Sequence, residues 1–180
     1  MTKILFLRAV NLGRANKVPM KLLMQAMDAA GFGRSGFLLQ SGNVVVAEPT
    51  LPDEELERAT ERLILDEFGV TTVVIGRTTR QLVGTLERNP YTAPEGGSVH
   101  VAFLAGVPDA DLRSGLQRES FGDAQLTLAD SEVFIRYESS THTSKLSNAL
   151  LERRLKVDST SRNVRTLERL LALREVAQAL

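Results

Sequence analysis

The sequence predicts an α+β protein that runs twice through one β-α-β-β-α-β plan. Three observations lead there. Short aliphatic or β-branched runs alternate with helical stretches in that order, the order starts again after a break at residues 91–97, and fragments of the two halves match. Phe6-Leu7 stands against Phe103-Leu104, and Arg77-x-x-Arg80-x-Leu82 against Arg162-x-x-Arg165-x-Leu167, each at the same place in its half. The predicted fold is a tandem ferredoxin-like one, with helices packed on one face of each antiparallel sheet. The expected boundaries are a first unit with a short extra helix over 1–90, a linker over 91–97, and a second unit with a terminal helix over 98–180.

Each element has its own reason. Lys3 to Arg8 is a compact apolar run, read as a buried first strand, and Asn11 to Asn16 is a polar loop rich in turn formers. From Pro19 the spacing turns helical, with Met20, Leu23, Met24, Met27 and Ala30 on one face and Gly31 as the stop. Phe37-Leu38-Leu39 and Val44-Val45-Val46 flank Gln40-Ser41-Gly42-Asn43, a hairpin pattern. Asp53 is the expected cap of a helix running to Phe68 and closed by Gly69, before a β-branched strand at Thr71–Ile75. A short helix from Thr78 or Thr79 must stop near Asn89-Pro90. The second half repeats this with a strand over Val99–Leu104 and a helix opened by Pro108-Asp109. A hairpin at Leu126–Leu128 and Val133–Ile135 follows, then a helix capped by Ser144 and running to Leu155, a strand at Val157–Ser161, and a terminal helix from Val164.

Composition narrows function more than it names it. Cysteine is absent, which removes disulfides and thiolate chemistry, and two histidines are too few for a histidine-rich metal site, so neither metal nor cofactor is expected. Lysine plus arginine equals aspartate plus glutamate, so no long-range field draws the whole molecule to nucleic acid or anionic membranes. No run approaches the roughly 18 apolar residues of a membrane span, and the N-terminal apolar stretch is too short for a signal core, so a cytoplasmic monomer or homodimer is expected. With aromatics at 5% and no tryptophan, a base-stacking platform is hard to build, and Phe6, Phe103 and Phe134 read as core.

Strand order gathers two polar clusters. The third strand runs antiparallel beside the first, so Arg8, Asn11, Gly13 and Lys17 meet Gln40, Ser41 and Asn43 at one pole, a set suited to an anion. The plainer reading is turn geometry for the asparagines and an ion pair for Arg8. In the second half, Ser144, Lys145, Ser147 and Asn148 open one helix and Arg162 and Asn163 the next, offering a basic pocket, or simple capping. Neither a Walker loop, nor Gly-x-Gly-x-x-Gly, nor a Gly-x-Ser-x-Gly elbow is present. His100 and His142 lack a triad context, and the acidic start Asp53-Glu54-Glu55 complements a helix dipole.

Several spaced motifs resemble a bacterial family catalogued as domain of unknown function 1697. They are Leu7-Arg8-x-x-Asn11-x-Gly13, Lys17-Val18-Pro19-Met20, Gln40-Ser41-Gly42-Asn43, Arg77-Thr78, Asn89-Pro90, His100-Val101-x-Phe103-Leu104, Ser144-Lys145-Leu146-Ser147-Asn148 and Thr160-x-Arg162-Asn163, spread over essentially the whole chain. The chain departs from the family pattern at Ala9, where glycine is usual, and at Val164, where tryptophan is. The resemblance implies the tandem α+β fold and brings no activity. It singles out the same polar residues, so the expected function is capture of a small phosphorylated or carboxylated ligand in a polar cleft between the units. The alternatives are a nucleic-acid-binding module, disfavoured by zero net charge, and a dimeric scaffold.

Overall fold

The computed structural model describes residues 2–13 and 15–178, with side chains through Leu173. The elements run in the order β1 (Thr2–Leu7), α1 (Met20–Ala29), β2 (Arg34–Leu38), β3 (Asn43–Ala47), α2 (Asp53–Phe68), β4 (Val74–Thr78), α3 (Thr79–Glu87), β5 (Ser98–Leu104), α4 (Ala110–Gln117), β6 (Ala124–Leu128), β7 (Glu132–Tyr137), α5 (Asn148–Leu155), β8 (Ser159–Asn163) and α6 (Val164–Gln178). They form a mixed α+β fold with two four-stranded antiparallel sheets, ordered β2-β3-β1-β4 and β6-β7-β5-β8. The chain divides into two compact units, one of residues through Val83 with those from Arg169 on, the other Gly84–Glu168.

Each unit has a core on the helix side of its sheet. In the first, Leu5, Leu7, Val44 and Val46 meet Met20, Leu23, Met27, Leu56 and Ile64. In the second, Ala102, Leu104, Val133 and Ile135 meet Leu116, Leu151 and Leu155. Burying a side chain of this kind stabilises by about 1.5–3 kcal/mol over leaving it in water. The opposite strand faces are buried as well, through Ile4, Phe6, Val45 and Ile75 in one unit and Val101, Phe103 and Phe134 in the other. That is why residues 4–7 of β1 and 101–104 of β5 read as unbroken apolar runs.

The two sheets also share hydrogen bonds position by position. Leu7 N donates to Gly42 O as Leu104 N does to Ser131 O, and Arg8 N donates to Val73 O as Ala105 N does to Asp158 O. Val74 N donates to the Glu61 carboxylate as Ser159 N does to Glu152. The helices ahead of β4 and β8 both end on a left-handed residue, Gly69 and Lys156.

Several boundaries move for local reasons. Pro52, not Asp53, holds the cap position of α2, and the Asp53 carboxylate instead lies 2.8 Å from the buried Lys3 ammonium. Ser147, not Ser144, caps α5, accepting from Leu150 N. β4 begins at Val74 because Thr72 and Val73 are used on the backbone of Arg8. β8 begins at Ser159 because Lys156 turns the chain out of α5 first.

Candidate functional site

At one pole of the first unit the loop after β1 closes onto the β2–β3 connector. Asn11 makes the closure: its Nδ2 donates to Val18 O (2.8 Å) and to Gln40 O (2.7 Å), while its Oδ1 accepts from Val18 N (2.9 Å). Asn43, fully buried, donates to Leu38 O and to Ser41 Oγ, fixing the connector from within. Both amides are therefore occupied by the fold itself. Backbone strain concentrates here, since Ala9, Asn11, Asn16 and Leu39 all carry φ between 50° and 64°. Left-handed backbone of this kind costs non-glycine residues energy that the surroundings must supply. Gly42 is required outright: at φ 79° a Cβ would stand 2.7 Å from both Leu7 Cβ and Val10 Cγ2.

The remaining groups of this pole differ in exposure. Lys17 and Gln40 are exposed, and their side chains have no partner among the described residues. Arg8 is half-buried directly beyond β1, and Ser41 is exposed on the connector. The backbone amides of Leu12 and Gly13 likewise make no hydrogen bond among the described residues. From Thr2 to Met27 the sequence holds cations only, the first carboxylate being Asp28, and the connector is uncharged.

The second cluster does not assemble into a basic pocket. β7 and β8 do end at one pole, since Ser98 pairs with Tyr137 and His100 with Asn163. Strand alternation then separates the neighbours. Asn163 lies on the helix side, with Nδ2 3.4 Å from His100 Nε2 and Oδ1 accepting from Arg165 N. Arg162 lies on the other side, donating to Thr160 Oγ1 (2.7 Å) and to the Ser161 carbonyl (2.8 Å). Asn148 is tied to Ser159, donating to its carbonyl and accepting from its hydroxyl. Ser144 Oγ donates to Asp123 and accepts from Leu146 N, and the exposed Lys145 side chain has no partner among the described residues.

Burial sets the protonation states. It pulls the Arg162 guanidinium down to about 10, which leaves it charged at neutral pH, and it pulls His100 down to about 4, so that imidazole is neutral. Tyr137, edge-on to His100 with ring centroids 5.4 Å apart, is pushed up to about 12 by burial and by Asp123, and its hydroxyl donates to Leu146 O. Sequence reasoning missed the buried Lys3, which sits against Asp53 and Glu57. Burial raises the Glu57 carboxyl, with Lys3 opposing. A lone charge inside an apolar strand opposite an acidic helix start was the available signal.

A family model described as Protein of unknown function (DUF1697) matches residues 1–134. The chain belongs to this family. The region matched in DUF1697 contains the first pole entire and stops short of Ser144–Asn148 and Thr160–Asn163. No curated protein matches the chain. Among solved structures, the conserved bacterial protein SP0830 from Streptococcus pneumoniae is similar, with a TM-score of 0.73 and 18% identity over 95% of this chain and 97% of that one. At that identity the likeness to this DUF1697 chain is one of fold.

Proposed function

We propose that the first unit's pole binds a small phosphorylated or carboxylated ligand, and that each unit is a ferredoxin-like one. The second statement is supported by the strand order, which runs 2-3-1-4 in each unit's own numbering with a helix after the first and third strands. One observation carries the first: a strained loop, stapled by Asn11, carries two backbone amides and a lysine that have no partner among the described residues. Amides held in left-handed turns make anion-binding concavities, and a lysine adds charge. Lys17 and Arg8 supply the charge, Leu12 and Gly13 the amide donors, and Gln40 with Ser41 the orienting groups. Asn11 and Asn43 position the loop and connector.

The experiment is a thermal-shift titration with inorganic phosphate and a panel of phosphorylated and carboxylated metabolites, because a ligand of the native state raises its apparent stability. A concentration-dependent rise that Lys17→Ala removes, without lowering the unliganded midpoint, is the expected result. No rise with any anion, or one indifferent to Lys17→Ala, defeats the proposal.

A further inference from the structure

The segment over 91–97, expected to be a linker, is tied down. The Asn89 side chain donates to Tyr91 O and accepts from Tyr91 N, the Tyr91 hydroxyl lies 2.8 Å from Thr127 Oγ1, and Gly97 N donates to Pro94 O. Gly97 presses on β7 so closely that a Cβ there would meet the Tyr137 carbonyl and Pro94. The segment lines a cavity of about 250 Å³ within the second unit, together with the start of β5 and with Asn163, Arg165 and Glu168.

The charges at this cavity are paired by spacing and unpaired by bonding. Arg165 and Glu168 lie three residues apart on α6, so they are neighbours on one helix face. Neither side chain has an ion-pair or hydrogen-bond partner among the described residues, and the hydroxyls of Thr92 and Ser98 are also unused. The Arg165 backbone amide is already taken by Asn163, so the cavity's polarity comes from these side chains and not from the helix end. A guanidinium donates two parallel N–H bonds to a carboxylate, and a carboxylate one helical turn away accepts from an ammonium.

We propose that this cavity binds a zwitterion of amino-acid size, its carboxylate on Arg165 and its ammonium on Glu168. The volume lies below the 300–1,000 Å³ typical of pockets for drug-sized ligands, which suits a single amino acid. A lone anion would meet Glu168, and a lone cation Arg165, so either is disfavoured where the dipolar ligand is not. The site is independent of the anion-binding pole in the first unit.

The test is a titration of the full chain, at matched ionic strength, with the common amino acids and with propionate and propylamine as single-charge controls, read by calorimetry and thermal shift. Both Arg165 and Glu168 are exposed, so Arg165→Gln and Glu168→Gln should keep the fold. The expected result is binding by one or more amino acids, none by either control, and a loss of roughly tenfold or more in affinity for each variant. Absence of amino-acid binding overturns the proposal. So does binding that survives either substitution, and propionate binding equal to that of the amino acids would reassign the cavity as a plain carboxylate site.

Discussion

Asn11 joins three backbone groups on two loops through one amide, and its φ of 56° suits asparagine better than almost any other residue with a Cβ. Asn11→Ala loses all three bonds and strands the Val18 groups in a partly buried place. We expect a cost of about 1–3 kcal/mol, read by chemical denaturation. Asn11→Asp keeps the acceptor for Val18 N but sets an anionic oxygen against the Val18 and Gln40 carbonyls, so at neutral pH it should cost at least as much as Asn11→Ala. His100 governs a pH dependence. Its folded value of about 4 lies below the ordinary 6.5, so the unfolded chain takes up the proton first as pH falls. Its contribution is complete above about pH 6.5 and is lost on the way down to about 4, amounting to roughly 2 kcal/mol after discounting its partial exposure. A His100→Gln variant should show a correspondingly flatter stability between those limits; an unchanged slope would contradict the assignment. At this scale the sequence singled out candidate polar residues and not what they touch. Asn11 and Asn43 stood out as turn formers in a cationic pole; Asn43 and most of Asn11 serve their own turns, yet the Asn11 bond to Gln40 O, 29 residues on, is invisible to local pattern. The separation of Arg162 from Asn163 was legible, because adjacent strand residues always face opposite ways.

Elements hold their ends and edges with side chains recruited from neighbours. Glu61 and Glu152 each reach from a helix to the first amide of the next strand, which starts β4 and β8 where it does. The outer edge of β6 is covered by Gln117 of α4, whose Nε2 donates to Leu126 O (3.1 Å) and whose Oε1 accepts from Leu128 N (3.2 Å). An uncovered strand edge is a template for pairing with another chain. Gln117→Ala should therefore cost about 1 kcal/mol of stability and raise concentration-dependent self-association in light scattering, with secondary structure unchanged. Equal association states for variant and parent would show that the edge needs no cover. Element order and both hairpins were readable because apolar periodicity and glycine-bearing connectors are local signals. Start points were less so: Ser144 and Ser147 are equally good caps on paper, and Ser144 is drawn away by Asp123.

At the scale of the molecule, two units share strand order, register and hydrogen bonds but differ in the loop after the first strand. In the first unit that loop spans residues 8–19 and carries Arg8, Lys17 and three strained non-glycine residues; in the second it spans 105–109, with no cation. A common framework with one elaborated loop makes that loop the place to test for the proposed anion site, since loops carry function on a rigid scaffold. Zero net charge over the chain hides this, because residues 2–27 hold cations and no carboxylate while the balancing acidic residues come later in the sequence. Hydrogen exchange with and without phosphate tests the asymmetry directly. Added phosphate should slow exchange across residues 9–17 and the connector at 39–42, and leave the corresponding amides at 105–109 unchanged. Protection of both loops alike would mean that the anion reads the shared framework, and protection of neither would return the first loop to a purely structural role.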